Sequence, residues 1–181
     1  MKRITLLILS VILLPTVLSC AARQATLDRN ERISKAQRNI LVFPFRNAYY
    51  KSRELKGVGT GFTTRFVNEI IATGRDCRLV ESEEFIETKT VDTFQACKYA
   101  KEQGADVAIT GIITEWIDGA TQWSGKVDVV SASVFAYDPE TCSIITSASG
   151  REQGTWFTCV NAPATRFYPT LSKDLVSVMF E

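Results

Sequence analysis

The sequence predicts a single α/β domain: a two-layer sandwich of mixed β-sheet with helices packed on it, in the order β-α-β-α-β-β-β-α. Two observations carry this. Short apolar runs at residues 40–43, 77–81 and 107–113 alternate with stretches of three- and four-residue apolar spacing, the marks of buried strands and amphipathic helices. Beyond residue 113 the alternation stops and strand patterns follow one another directly.

The chain ahead of this domain reads as a membrane address. Lys2 and Arg3 precede an apolar stretch over residues 4–14, broken only by Thr5 and Ser10 and closed by Pro15. A secretory h-region is ~7–15 residues long, whereas a spanning helix needs ~20 apolar residues. Val17-Leu18-Ser19-Cys20 then resembles the lipobox of bacterial lipoproteins, with an aliphatic residue three before the cysteine and a small one just before it. The resemblance implies that residues 1–19 are a signal peptide and that Cys20 carries a thioether-linked diacylglycerol and an N-acyl chain such as palmitate. Three acyl chains, at ~0.8 kcal/mol per buried methylene, make a permanent anchor. Ala21 stands where an aspartate would argue for inner-membrane retention. By resemblance to Gram-negative sorting, the expected location is the outer membrane, with the domain in the periplasm. Residues 20–38 are polar apart from Leu27 and Ile33 and read as a tether, partly helical at most. The domain is expected over residues 39–181.

Each element has its signal. Ile40-Leu41-Val42-Phe43 ends at Pro44, as a buried strand would. Leu55, Val58, Phe62, Phe66 and Ile70 form a helical stripe, widened by Val67 and Ile71 and stopped by Gly74. A second strand follows at residues 77–81. Asp92 caps a second helix, with Gln95 as capping-box partner and Phe94, Cys97 and Ala100 inward. The third strand, from Val107, is long enough to continue through Trp116. Val130, Ala132, Val134 and Ala136 share one face of the fourth, Asp138-Pro139-Glu140-Thr141 is a turn, and residues 143–149 answer it. Pro169 starts the last helix, with Leu171, Leu175 and Val178 inward.

Composition excludes several function classes. About 160 residues remain after the signal, enough for one real core. Removing Lys2 and Arg3 from 21 basic residues leaves 19 against 20 acidic ones, so no basic excess marks a nucleic-acid binder. The chain has no histidine, which removes histidine-based triads, metal sites and general bases. No metal or cofactor is expected. With Cys20 acylated, Cys77, Cys97, Cys142 and Cys159 remain for disulfides in an oxidising compartment. Cys77–Cys97 is the preferred pair, tying a strand to the next helix. Cys142–Cys159 is the less secure one, because a strand over residues 142–150 would make the chain double back.

Candidate sites are few. Gly57-Val58-Gly59-Thr60-Gly61 has the wrong spacing for a phosphate loop and reads as a flexible helix entrance. Glu81, Glu83 and Glu84 could pair for acid–base chemistry but read better as a solvated turn. Ser19 and the hairpin serines have no base to activate them. Trp116 and Trp123 flank a turn between strands and are the candidates for a partner surface. Their competing role, shared by Trp156, is to seal the core.

Three stretches carry a family resemblance: Ile40-Leu41-Val42-Phe43-Pro44-Phe45, Gly104-Ala105-Asp106-Val107-Ala108-Ile109-Thr110-Gly111, and Ala136-Tyr137-Asp138-Pro139-Glu140-Thr141 with Ser147-Ala148-Ser149-Gly150. Together they resemble the periplasmic fold of the curli-secretion lipoprotein, the Tol–Pal propeller protein's amino-terminal domain and the lipoprotein activators of penicillin-binding proteins. The whole chain resembles a family of small Gram-negative lipoproteins of unknown function. Unlike the curli-secretion protein, this chain offers only residues 112–134 for a pore hairpin, and Glu115, Asp118, Lys126 and Asp128 interrupt them. The expectation is a non-catalytic, lipid-anchored module that binds an envelope protein. Its rivals are a small-ligand binder or carboxylate-based enzyme, and a structural homo-oligomer.

Overall fold

The structure is a computed structural model that describes residues 22–28, 31–81, 85, 91–119, 127–154 and 162–181. Its elements are β1 (Ala22–Leu27), β2 (Asn39–Val42), β3 (Tyr49–Tyr50), β4 (Arg53–Glu54), α1 (Val58–Ala72), β5 (Asp76–Leu79), α2 (Thr93–Glu102), β6 (Val107–Ile117), β7 (Val129–Tyr137), β8 (Ile144–Gln153) and α3 (Tyr168–Met179). A 3-10 turn, Ala164–Phe167, runs into α3, so that helix begins one residue before Pro169. The main sheet has the order β1-β8-β7-β6-β2-β5. β2 runs parallel to β5 and β6, and the other pairs are antiparallel. The expected mixed sheet with helices packed on it is therefore present.

Connection handedness decides where the helices lie. The chain steps from β2 outward to β5 through α1, then back past β2 to β6 through α2. Right-handed crossovers in opposite directions put their helices on opposite faces. Accordingly, Ile40, Val42, Val107 and Ile109 join Phe62, Phe66 and Ile70 of α1 and Leu171, Leu175 and Met179 of α3 in one core. The alternate residues Leu41, Phe43 and Ala108 join Ala96, Cys97 and Ala100 of α2 in a second. The sandwich is two-layered except where α2 adds a third layer.

Several details differ from the sequence expectations. The polar stretch after Cys20 is not a simple tether. Ala22–Leu27 is the edge strand against β8, with Gln24 and Thr26 exposed and Ala25 and Leu27 half-buried. That period-two pattern is weak because one neighbouring strand supplies its hydrogen bonds and little apolar burial is needed. Ile33 is fully buried, its N–H donating to Met179 O at 2.8 Å while Glu181 N–H donates to its carbonyl at 3.2 Å. Phe94 is 70% exposed and Ile71 48%. Both sit on the flank of a buried stripe whose centre is filled by Ala96, Cys97 and Ala100 in α2 and by Phe66, Val67 and Ile70 in α1. Asp92 does cap α2, accepting from Phe94 N–H at 3.1 Å.

Candidate functional site

At one end of the sheet a small hairpin meets the end of β6. Tyr49 pairs with Glu54 and Tyr50 with Arg53, leaving the two-residue turn Lys51-Ser52. Both turn residues have positive φ, 46° and 69°, the left-handed geometry of the turns whose twist suits a hairpin. Tyr50, Leu55, Trp116, Ile117, Asp118 and Gly119 line a groove of about 330 Å³ beside it. Leu55 and Trp116 also wall a second depression with Arg53, Glu54, Lys56 and Val58.

A register shift decides which way Trp116 faces. Ile109 and Ile113 of β6 point toward α1 and α3, and strict alternation would send Glu115 there too. The irregularity between Ile113 and Glu115 inserts Thr114 and reverses the parity. Trp116 thereby packs against the Tyr168 ring, 5.6 Å between centroids. Glu115 moves to the opposite face, where its Oε2 accepts from Ser131 Oγ at 3.2 Å and Arg151 Nε at 3.1 Å. That face also pairs Ser133 with Ser149, whose hydroxyl reaches Asp28.

A buried charge pair fastens the loops here. Asp128, with a 1% exposed side chain, meets Arg166 at 2.6 Å. Its Oδ1 accepts from Gly119 N–H at 3.0 Å, and its carbonyl from Gly154 N–H at 2.9 Å. Asp118 accepts from Ala164 N–H at 3.1 Å, and the Tyr168 hydroxyl donates to Val58 O at 3.0 Å. Burial first, and then the nearby Asp118 charge, raises the Tyr168 pKa. That keeps the hydroxyl a donor. The sequence reading missed the Asp128–Arg166 pair and the Lys51-Ser52 turn. The pair is 38 residues apart and leaves no local signal, and the turn lacks the Asn-Gly that usually marks one.

The other candidates resolve as follows. Trp116 is half-buried, both a groove wall and part of the core edge. Cys20, Trp123, Trp156, Cys159, Glu83 and Glu84 lie outside the described residues. The preferred Cys77–Cys97 pair is replaced by Cys97–Cys142, with Cα atoms 5.7 Å apart, and Cys77 is a free, buried thiol. The sheet itself separates Cys77 from Cys97: Cys77 faces α1, whereas Cys97 belongs to the α2 face. Within the glycine run Gly59 is buried, while Gly57 and Gly61 are exposed. Gly57 takes φ 83° ahead of α1, and Asn47 Oδ1 accepts from Gly59 N–H at 2.8 Å, occupying a donor that a phosphate would need. Among the described residues, no three Cys, Asp or Glu side chains group to hold a metal.

Cys77 has a pH signature. Burial, and then the neighbouring Asp76, push its thiol up to about 12, while an unfolded cysteine ionises near ~8.5. Between those values the folded state holds the extra proton, so stability falls as pH rises. Cys77→Ala is expected to flatten the loss between about pH 9 and 10, read from urea unfolding at each pH. An unchanged slope would refute this assignment.

The fold and this end of the sheet define a class: an α/β sandwich with a mixed sheet, an aromatic and aliphatic groove flanked by charged residues of both signs, and an open polar face. Among the described residues no helix is long and apolar enough to cross a membrane. Solved structures share the fold. The PelC dodecamer from Paraburkholderia phytofirmans is similar with a TM-score of 0.64 at 14% identity, over 88% of this chain and 100% of that one. Lipoprotein GNA1162 from Neisseria meningitidis is similar with a TM-score of 0.54 at 17% identity, over 76% and 94%. No protein-family model and no curated protein matches the chain.

Proposed function

We propose that this chain is a non-catalytic lipoprotein, anchored in the outer membrane through Cys20, whose periplasmic domain binds protein partners in cell-envelope biogenesis or maintenance. The observation that carries the reading is the lipobox at residues 17–20 leading directly into a fold shared with a solved lipoprotein. A second reading, self-assembly, is favoured by the similarity to a protein that crystallises as a dodecamer. One experiment separates them: crosslinking in intact cells, with the adduct's composition read by mass spectrometry. The interaction module yields a reproducible adduct with a different envelope protein, and the oligomer yields multiples of this chain. Cys20→Ser is expected to abolish acyl labelling, release the folded domain from the membrane fraction and lose the adduct. A Cys20→Ser protein that still carries lipid would overturn the anchor.

A further inference from the structure

We propose that the domain lies directly on the membrane, with the β3–β4 hairpin and the adjoining end of β6 seated against anionic lipid headgroups. The inference rests on the lipidation of Cys20 proposed above and goes beyond it to the orientation of the domain. Ala22 opens β1 opposite Gln153, Gln153 lies opposite Val129, and Val129 opposite Ile117. These four residues form one row across the end of the sheet, about 14 Å wide at normal strand spacing. One residue separates Cys20 from Ala22, so the acylated cysteine is within about 7 Å of that row. The headgroup region of one leaflet is itself roughly 5–7 Å thick. So short a leash keeps the Ala22 corner of this row at headgroup level, and the side chains at its Ile117 side decide how the rest of the row lies.

What the row presents suits that setting. Ile117 lines the groove beside Tyr50, and Tyr49 and Tyr50 are 53% and 51% exposed at the hairpin. Tyrosine rings with a polar tip are at home at headgroup level. Lys51, Arg53 and Lys56 are exposed, and among the described residues none of them has an ion-pair partner. The acidic residues nearby are Glu54, which accepts from the Asn47 amide at 2.8 Å, and Asp118, which accepts from Ala164 N–H; both stay charged, so the three cations exceed the anions by one. Each basic side chain near an anionic surface strengthens association roughly fivefold.

The test uses the full acylated protein in phosphatidylethanolamine–phosphatidylglycerol vesicles. A fluorophore is attached at S52C on the hairpin or at Q103C beyond the far end of β6, roughly 30 Å away. Quenching by neutral acrylamide, which senses burial and not surface charge, is expected to be largely lost at position 52 and retained at 103. Charge reversal in K51E/R53E/K56E is expected to restore most of the quenching at 52. Equal quenching at the two positions, with the acyl mass confirmed on the same sample, overturns the docking alone. Protection at 52 that persists in neutral detergent micelles shows that anionic headgroups are not what the hairpin meets and also overturns it. A missing acyl mass overturns the lipoprotein reading on which the docking rests.

Discussion

Replacing Gly59 with alanine is expected to destabilise the domain by about 3 kcal/mol or more, the upper range for overpacking. A Cβ at Gly59 would stand 2.1 Å from the Phe45 carbonyl oxygen and 2.9 Å from its carbon. Those are backbone atoms and cannot rotate away. Phe45 N–H donates to Thr63 Oγ1 at 2.8 Å, and that hydroxyl donates to Gly59 O at 2.7 Å. Separating α1 from Phe45 would thus break a fully buried bridge as well as the Asn47 cap. Alanine's better helix propensity returns only about 1 kcal/mol, so the clash wins. Gly61→Ala is the control, since its Cβ would meet the Tyr168 ring at 3.3 Å, a side chain that can shift. It is expected within about 1 kcal/mol of the parent. Urea midpoints at constant m-value check both, and a Gly59→Ala protein as stable as Gly61→Ala would refute the packing account.

Loss of the Cys97–Cys142 disulfide is expected to cost about 4 kcal/mol by loop-closure entropy, given its 45-residue separation. The bridge ties α2 to the turn between β7 and β8, across the smaller of the two cores. Cys97 and Ala100 are small, so α2 brings little apolar area of its own. C97A/C142A is therefore expected to keep the α1–α3 core while amide exchange in α2 rises toward local-unfolding rates. Reduction of the parent should shift stability as the double variant does and leave the double variant unmoved. Identical exchange in α2 with and without the bridge would refute this role.

The two expectations show where local pattern ends. The stripe Phe62, Phe66, Ile70 and the inward set Val130, Ala132, Val134, Ala136 were legible because period alone reports a buried face. Asp92 and Gly74 were legible as start and stop signals, since capping is a local interaction. Phe94 was misplaced because both flanks of a short helix satisfy a spacing rule, and only the neighbouring sheet chooses between them. The Cys77–Cys97 pairing failed for a similar reason. Nearness in sequence says nothing about the face of the sheet on which the next helix lands. The groove was half legible through Trp116, but its other wall comes from a hairpin without turn residues of the usual kind.

By itself, then, the sequence determined the parts that depend on period, composition and short motifs. These are the mixed α/β class, the order of its principal strands and helices, the absence of histidine and the lipobox-like stretch at residues 17–20 on which the proposed anchor rests. Tertiary structure alone decided the rest: β1 as a sixth strand, Cys142 as the partner of Cys97, Gly59 as a contact, and Trp116 turned inward by one extra residue at Thr114. Each of those depends on crossover handedness, strand register or the approach of two distant backbones. Such quantities are set by how the elements pack, and no window along the chain contains them.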